Sequence, residues 1–416
     1  MCGLRLFKSA KRLPVIIIIT VLLISFTVFA GCNFVRPQSS KAIAVDPSGG
    51  AVQNGAVGRL PVEQGTVTVE LSMVGDIMVH MPQVSAAYDK ATGQYSFDNS
   101  FAEVKNYLGA ADLTIGNMET TLAGQERGFS GYPQFNSPSE ILTALKDTGF
   151  DVLTTANNHA MDTGKAGVLK TIAHLDAAGI KHTGTFSSVE EREEPLVVEI
   201  KGVKIAILAY TYGTNGIPVP KNSGYLVNLI DMEQVRKDVQ KARRGGADVV
   251  LVLPHSGVEY KRIPGQAEEK LVDNLFGAGA DIVIGSHPHV IQLMGRRDLT
   301  KDRQGLFAAY SMGNFISAQR GMYKDSGLIL NLKLEKDLAS GHIRLDGAEY
   351  LPTWVHKYRG HGKTLYRVVA VEKAIRDFEQ GRDKSISADD YKRLKQVWKE
   401  TTDLLSGPNG PAVRHI

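Results

Sequence analysis

Apolar runs and amphipathic stretches alternate along most of the chain, and this pattern predicts an α/β fold. The run at residues 66–74 alternates apolar and polar positions, which is typical of a β-strand with one buried face. The run at 248–253 is almost continuously apolar and rich in valine, which is typical of a strand covered on both faces. Between such runs, apolar residues recur at helical spacing at 165–178, 232–244 and 266–276, so we expect helices there.

The second half of the chain departs from this alternation. Consecutive strands with no helix between them are predicted at 305–310, 327–332 and 342–350. Earlier, Lys201-Gly202 has the composition of a tight turn between two strands, and a helix is predicted near the end of the chain at 388–405. The order of elements therefore predicts a mixed sheet, or a pair of sheets, with helices outside.

Five of the predicted strands end in a loop that carries a residue able to bind a metal ion. These residues are Asp76, Glu119, Asn158, His255, and His287 with His289. Because α/β proteins place their sites at the carboxyl ends of strands, we expect these side chains to converge. Around Pro288 we expect an extended backbone, in which His287 and His289 point the same way. Bridging oxygen ligands together with imidazoles are the composition of a two-metal hydrolytic site.

Each of these residues also has an ordinary structural explanation when it is taken alone. A Gly75-Asp76 pair after a strand is common in turns, and the asparagines of 157–159 tolerate left-handed turn geometry. His255 is compatible with a half-buried imidazole that has its hydrogen bonds satisfied, and Asp162 with a helix cap. The shared position at strand ends is therefore what predicts a metal site. The remaining histidines are expected to be structural or at the surface: His174, His182, His342, His356, His361 and His415.

The N-terminus has the pattern of a targeting segment. Four basic residues precede an uncharged apolar run at 13–30, which indicates a signal peptide or a single membrane anchor. Small residues directly before Cys32 resemble a bacterial lipoprotein cleavage box, which predicts that Cys32 becomes the lipidated first residue. Phe29 stands where such boxes usually have leucine, so an uncleaved anchor is the alternative. Both alternatives tether the chain to the cell membrane and place the globular part on its extracellular face.

Composition and charge indicate the domain boundaries and the partners that the chain is not expected to bind. We divide the 416 residues into a leader or anchor at 1–32, a flexible linker at 33–65, a globular domain at 66–356 and a C-terminal extension at 357–416 with the terminal helix. The chain has 48 basic and 44 acidic residues, and four of the basic ones lie in the leader, so the remainder is formally neutral. We therefore expect no nucleic-acid partner. Both cysteines lie in the leader, so the domain has no internal disulfide.

The order and the residues of the strand-end motifs resemble those of a known family. The motifs are Gly-Asp-Ile-Met at 75–78, Gly-Asn-Met-Glu at 116–119, Asn-Asn-His at 157–159, His-Ser-Gly-Val-Glu-Tyr at 255–260, Gly-Ser-His-Pro-His at 285–289 and Tyr-Ser-Met-Gly-Asn-Phe at 310–315. They are similar to motifs of calcineurin-like metallophosphoesterases and, more closely, of the CapA/PgsA family of poly-γ-glutamate capsule biosynthesis proteins. This resemblance implies an α/β fold, a four-layer αββα sandwich of the calcineurin-like metallophosphoesterase type.

The resemblance also implies a role for each residue at the strand ends. One or two divalent ions, of Mn, Zn, Mg or Fe, are expected to have these ligands: Asp76 and His289 on the first ion, Glu119 bridging both, and Asn158, His255 and His287 on the second. His159 is the expected general acid, with its imidazole oriented by Asp162. Asn157 and Glu259 are expected to support the ligands without binding the metal.

The sequence departs from the phosphoesterase pattern on the first strand. Phosphoesterases have Asp-x-His there, and Met78 occupies the position of that histidine. His80 lies two residues further on and is the candidate replacement ligand. The alternative is that His80 is only a polar residue at a helix start before Pro82. Glu119 is also longer than the aspartate that usually bridges the ions, so a single bound ion remains an alternative to two.

The resemblance and the leader predict a membrane-tethered extracellular protein for the synthesis or export of poly-γ-glutamate, or of a similar anionic polymer. Its site is expected to be a metal-dependent hydrolase-type site. One alternative is an exported metallophosphoesterase that acts on nucleotides or envelope phosphodiesters, and another is a non-catalytic subunit for polymer assembly. The family resemblance further implies a capsule ligase and small membrane subunits as partners.

Overall fold

The computed structural model describes residues 65–298 and 305–416. The expected leader or anchor at 1–32, the lipidated Cys32 and nearly all of the linker at 33–65 lie outside the described residues, so these expectations stay predictions. Within the described part of the chain, no helix combines the length and the apolar character needed to cross a bilayer.

The described residues form two main sheets, a short hairpin and helices on the outer faces. The strands are β1 (Thr66–Ile77), β2 (Tyr88–Asp89), β3 (Gln94–Tyr95), β4 (Leu113–Met118), β5 (Val152–Thr154), β6 (Lys181–Thr183), β7 (Leu196–Ile200), β8 (Val203–Thr211), β9 (Val249–His255), β10 (Ile282–Ile284), β11 (Met294–Arg297), β12 (Leu306–Ala309), β13 (Asn314–Ile316), β14 (Ser326–Asp337), β15 (Ile343–Gly360), β16 (Lys363–Ala370) and β17 (Ala412–Val413). The helices are α1 (Met81–Ala87), α2 (Asp98–Phe101), α3 (Lys105–Leu108), α4 (Ile141–Thr148), α5 (Gly164–Ala177), α6 (Val189–Glu193), α7 (Met232–Arg244), α8 (Gln266–Ala278), α9 (Val371–Glu379) and α10 (Ala388–Leu405), with short 3-10 helices at Gln125–Arg127 and Lys221–Leu226.

Both main sheets are mixed. The first has the strand order β16-β15-β14-β1-β4-β5-β6, with β13 paired to β1 and β17 to β15, and the second has the order β11-β12-β10-β9-β8-β7. Strands β1, β4, β5 and β6 run parallel in the first sheet, and β8, β9, β10 and β12 run parallel in the second. The parallel strands of each sheet therefore bring their carboxyl ends to one edge, where α/β proteins place their sites.

Apolar side chains divide the structure into four layers. Leu71 of β1 and Ile207 of β8 are completely buried and belong to one cluster, which lies between the two sheets. Phe101 packs in a second cluster between the first sheet and its helices, and Phe276 in a third cluster between the second sheet, α7 and α8. Each sheet is therefore covered by its partner on one face and by helices on the other. The predicted α/β fold, a four-layer αββα sandwich, is confirmed.

The C-terminal part is more closely tied to the sheets than the sequence indicated. Helix α10 has the predicted bounds, 388–405, but β15 runs through residue 357, where we placed the start of a C-terminal extension. Strand β16 then forms the edge of the first sheet, and all described residues belong to one compact unit. Lysine and arginine residues interrupt the apolar pattern of β16, which explains why periodicity missed it. The predicted turn at Lys201-Gly202 is confirmed, with φ angles of 51° and 76°.

Gly285 occupies a position that has no room for a side chain. A Cβ atom built on Gly285 would lie 2.1 Å from the carbonyl oxygen of Tyr310. We expect Gly285→Ala to lower the free energy of unfolding by about 2 kcal/mol or more, because the backbone before the two histidines must shift. Urea denaturation measures this change. Gly277→Ala is the control, since Gly277 is exposed on α8 with open space around it. This change should raise the free energy of unfolding by up to about 1 kcal/mol, because alanine favours the helix more than glycine does. An equal loss in both variants would contradict the prediction.

Candidate metal centre

The structure brings five of the side chains singled out in the sequence into one buried cluster. They are Asp76 in β1, Glu119 directly after β4, His255 at the end of β9, and His287 and His289 in the loop after β10. Each exposes 4% of its surface or less. Their potential ligand atoms form two groups that could each hold a metal ion, which we term the metal-binding groups. Both groups contain Glu119, one with Asp76 and His255 and the other with His287 and His289, and within each group the atoms lie within 4.8 Å of one another. The first sheet thus contributes the carboxylates and the second sheet the imidazoles.

A carboxylate orients the imidazole of His289. Nδ1 of His289 lies 2.9 Å from Oδ2 of Asp76 and donates a hydrogen bond to it. The other ring nitrogen, Nε2, then faces Glu119 at 3.7 Å from Oε1. A carboxylate–histidine pair of this kind decides which nitrogen carries the proton, so it leaves Nε2 of His289 free to bind a cation.

His255 has polar partners on both sides of its ring. Nε2 lies 2.9 Å from Oδ1 of Asn158 and 3.6 Å from Oε1 of Glu119. On the opposite side, Nδ1 lies 2.8 Å from Oγ of Ser286. Two atoms that each lie about 2.1 Å from one ion, at right angles, are about 3.0 Å apart. The spacing between Asn158 and His255 therefore fits two ligands of the same ion.

The loop that carries His287 and His289 is not extended, so our expectation for its backbone is wrong. The φ angles of the two histidines are 101° and 57°, in the left-handed region that non-glycine residues rarely adopt. Backbone hydrogen bonds before the loop hold it to neighbouring strands, from Gly285 to Ala309 at 2.7 Å and from Ser286 to Pro254 at 3.1 Å. Left-handed geometry costs about 1–2 kcal/mol per residue, and strain of this kind is concentrated at functional sites.

Burial shifts the pKa values of three groups, Glu119, His255 and His287, toward their neutral forms. Burial, reinforced by the nearby charge of Asp76, raises the pKa of Glu119 well above its usual value of 4.5. Burial also lowers the pKa of His255 well below 6.5, and burial together with the neighbouring His289 lowers the pKa of His287 to about 4. Both imidazoles are therefore neutral at physiological pH, which is the form that binds metal ions.

The cluster fits a divalent cation. Oε1 of Glu119 and Nδ1 of His287 are buried and have no hydrogen-bond partner among the described residues. A buried carboxylate that faces neutral imidazoles costs several kcal/mol unless a cation neutralises it. Carboxylate oxygens, imidazole nitrogens and an amide oxygen are also suitable ligands for divalent metals. One or two such ions would satisfy the charges and the unpaired atoms together.

Asn117 is a central residue of the cluster to which sequence reasoning gave no role. Its Nδ2 donates to Oδ1 of Asp76 at 2.8 Å, and it lies 3.4 Å from Oε2 of Glu119 and 3.3 Å from Nδ1 of His255. One amide thus holds ligands from three strands in place. The sequence signal that could have indicated this role is the position of Asn117 in the motif at 116–119, two residues before Glu119.

His159 lies beside the cluster in a hydrogen-bonded pair. Its Nδ1 donates to Oδ2 of Asp162 at 2.7 Å, and the same oxygen accepts the backbone N–H of Phe135, also at 2.7 Å. Asn157 accepts the backbone N–H of His159 and donates to the carbonyl oxygen of Met118, directly before Glu119. The pair therefore has the geometry that orients an imidazole for proton transfer, and Asn157 connects it to the residue directly before Glu119.

The first strand supplies no histidine to either metal-binding group of the described residues. Met78 is buried in the apolar core with 1% exposure. His80 directly precedes α1, where its Nδ1 accepts the backbone N–H of Ala318 at 3.3 Å and its ring meets the edge of Phe135. Burial, followed by the charge of His289, lowers the pKa of His80 to about 4. Its role as a ligand stays a prediction.

Glu259 is exposed in the loop after β9, at the mouth of the cluster. Its charge adds to the effect of burial in raising the pKa of Glu119, and with burial it raises the pKa of Tyr260 to about 12. The other histidines, which we expected to be structural or at the surface, join neither metal-binding group of the described residues: His174, His182, His342, His356, His361 and His415.

Known proteins are similar to this chain over the region that contains the cluster. The family model described as bacterial capsule synthesis protein PGA_cap matches residues 70–319, which contain the whole cluster. The chain is 31% identical to the capsule biosynthesis protein CapA of Bacillus anthracis over 271 residues, or 62% of this chain and 62% of that protein. It is 29% identical to the PGA biosynthesis protein CapA of Bacillus subtilis over 303 residues, or 71% and 76% of the two chains.

Among solved structures, a phosphatase from Mycoplasma pneumoniae aligns with 69% of this chain and 94% of its own, at 16% identity and a TM-score of 0.40. The match to the Bacillus anthracis protein spans less than two thirds of that relative. The family model, in contrast, covers more than half of this chain. The resemblance found in the sequence is thus confirmed, and the chain belongs to the PGA_cap family of bacterial capsule synthesis proteins.

Proposed function

We propose that this chain acts at the outer face of the cell membrane in the synthesis or export of poly-γ-glutamate, or of a similar anionic polymer. It does so through a metal-dependent hydrolase-type site. The observation that carries the proposal is the buried cluster around Glu119, which lies entirely within the residues that match the family. The names of the two CapA relatives, which refer to capsule and PGA biosynthesis, support a polymer as the substrate class.

The residues of the cluster suit hydrolysis because they combine cation ligands with an oriented imidazole. A bound divalent ion supplies Lewis acidity and lowers the pKa of water. Asp162 accepts the hydrogen bond from Nδ1 of His159, so Nε2 of His159 is left to hold a proton or to give it to a leaving group. The backbone N–H of Phe135 fixes Asp162 in turn, which keeps the imidazole in one tautomer.

The proposed location is supported by the sequence of the leader. The apolar run at 13–30 and the small residues before Cys32 are the features of an exported, membrane-attached protein. The segment at 33–65, rich in Gly, Ser and Pro, would act as a tether that keeps the globular domain where the polymer emerges. A capsule ligase and small membrane subunits are the proposed partners, on the basis of the family alone.

Two observations favour alternative functions. The His159–Asp162 pair suits an exported phosphoesterase that acts on nucleotides or envelope phosphodiesters. Broad turnover of phosphodiesters by the purified protein, lost with Asn158→Ala, would favour this function. The buried Met78 in place of a histidine ligand suits a non-catalytic subunit for polymer assembly. Two bound ions per chain would favour hydrolysis, and none would favour assembly.

The proposed function predicts that His289→Ala reduces the surface polymer of a producing strain by about tenfold or more. His289 links Asp76 and Glu119, and even residues that only support metal ligands typically contribute factors of about 10–100 to activity. Surface polymer is measured after gene replacement, with the amount of the variant protein checked in the same cells. His342→Ala is the control, because His342 is exposed and outside both metal-binding groups. A normal amount of polymer with His289→Ala would refute the proposal.

A further inference from the structure

The motif at 310–315 contributes no ligand to either metal-binding group of the described residues, yet Asn314 lies next to the cluster. Asn314 begins β13 and is the register partner of Asp76 in β1. Its side chain is completely buried, and its Nδ2 donates to Oε1 of Gln319 at 3.0 Å and to the carbonyl oxygen of Lys324 at 2.8 Å. Asn314 therefore fixes the loop after β13 relative to the strand that carries Asp76.

Tyr260 connects this loop to His289. Nε2 of Gln319 lies 3.4 Å from the phenol oxygen of Tyr260, and the ring centroids of Tyr260 and His289 are 6.0 Å apart. The backbone N–H of Tyr260 donates to the carbonyl oxygen of Pro288, between the two histidines of the cluster. Tyr260 is 44% exposed and has a left-handed φ of 64°, which is uncommon for a bulky residue. It thus stands at the rim of the cluster, where solvent begins.

Lys324 holds its ammonium group over the ring of Tyr260, 4.8 Å from the centroid. Lys324 is half-buried, and among the described residues it forms no ion pair with a carboxylate. Lys336, which is buried to a similar degree, has Asp248 at 2.8 Å. An aromatic face attracts a cation but does not neutralise its charge, so the ammonium group of Lys324 retains the capacity to pair with an anion.

We propose that Lys324, held over Tyr260, binds a carboxylate of the polymer beside the bond that lies at the metal-binding cluster. This inference rests on the proposed function, because the polymer supplies the anion. Poly-γ-glutamate is linked through its side-chain carboxyl groups and keeps a free α-carboxylate on every residue. The subsite therefore sets the register of the polymer against His289 and favours an anionic polymer over a neutral one.

Equilibrium binding of a short γ-linked glutamate oligomer to the full-length protein in detergent tests the proposal, with and without added Mn²⁺. We expect Lys324→Gln to weaken binding about tenfold at low salt, because it removes the charge but keeps a side chain of similar length. Lys324→Arg should bind within about twofold of the wild type, since arginine retains the charge. An oligomer whose α-carboxylates are amidated should bind the wild type and Lys324→Gln equally.

Lys395→Gln provides a matched control. Lys395 holds its ammonium group 4.4 Å from the ring centroid of Tyr391 on α10, so the same charge and the same ring contact are removed elsewhere. Unchanged binding with Lys324→Gln, or an equal loss with Lys395→Gln, overturns the subsite and leaves the proposed function standing. Failure of the wild type to bind the oligomer overturns both. If inorganic phosphate binds in a Lys324-dependent way and the glutamate oligomer does not, the subsite recognises phosphate and the carboxylate proposal is overturned.

Discussion

His255→Ala is expected to lower the metal affinity of the protein by about 100-fold or more. Nε2 of His255 lies between Oε1 of Glu119 at 3.6 Å and Oδ1 of Asn158 at 2.9 Å, so its loss removes the nitrogen ligand of one metal-binding group. The amide oxygen of Asn158 also loses its polar neighbour at 2.9 Å. Elemental analysis of the full-length protein, purified in detergent and equilibrated with Mn²⁺ or Zn²⁺, gives the number of ions per chain.

Two further variants keep this experiment interpretable. His174→Ala removes a histidine from α5, which belongs to neither metal-binding group of the described residues, and should leave the metal content unchanged. His255→Gln keeps a hydrogen-bonding side chain but replaces imidazole with a weaker ligand, so its affinity should fall between those of the wild type and His255→Ala. Full metal content in a folded His255→Ala protein would show that the ion binds elsewhere.

The alternation of strands and helices and the strand-end residues were predictable because both depend on local sequence, whereas the four layers were expected from the family resemblance. An apolar run that ends in glycine and then histidine, as at 282–289, identifies a strand and its carboxyl end without knowledge of the neighbours. The parallel arrangement of β1 with β4 and of β9 with β10 then brings those ends together. The sequence could not show how the ligand atoms are spaced, since that spacing depends on which strands pair and in which register.

Residues whose roles depend on distant contacts escaped prediction. Asn117 is a common turn residue by composition, and only the pairing of β4 with β1 places its amide against Asp76, 41 residues earlier in the chain. Lys324 lies in a loop with no periodic pattern, and its position over Tyr260 follows from the hydrogen bonds of Asn314. The left-handed backbone of the histidine loop was missed for a related reason. It is imposed by hydrogen bonds to adjacent strands against the intrinsic preference of the residues.

The candidate metal ligands come from both sheets, so a bound ion affects the stability of the fold. Asp76 and Glu119 come from the first sheet and His255, His287 and His289 from the second, so a bound cation would link the two inner layers of the sandwich. A ligand that binds only the folded state stabilises it by an amount that grows with its concentration. Without the cation, the same interface carries a buried carboxylate with an unpaired oxygen. The effect of a bound metal on the free energy of unfolding is therefore expected to depend on Glu119.

Glu119→Gln is expected to change the stability of the metal-free and the metal-loaded protein in opposite directions. Burial and the charge of Asp76 raise the pKa of Glu119 in the folded protein, so the contribution of this group to stability is complete below about pH 4.5 and is lost as pH rises through the raised pKa. Glutamine carries no charge, so the metal-free variant should gain about 2 kcal/mol at neutral pH. Its unfolding free energy should also lose this dependence on pH.

In the presence of metal the sign reverses, because Glu119 is shared by both metal-binding groups. Added Mn²⁺ or Zn²⁺ should raise the Tm of the wild type and leave that of Glu119→Gln nearly unchanged, as thermal unfolding with metal or with a chelator would show. Glu199→Gln, at an exposed position of β7, is the control and should shift stability by less than about 0.5 kcal/mol in either condition. If Glu119→Gln destabilised the metal-free protein and still gained stability from metal, Glu119 would be a structural residue rather than the shared ligand.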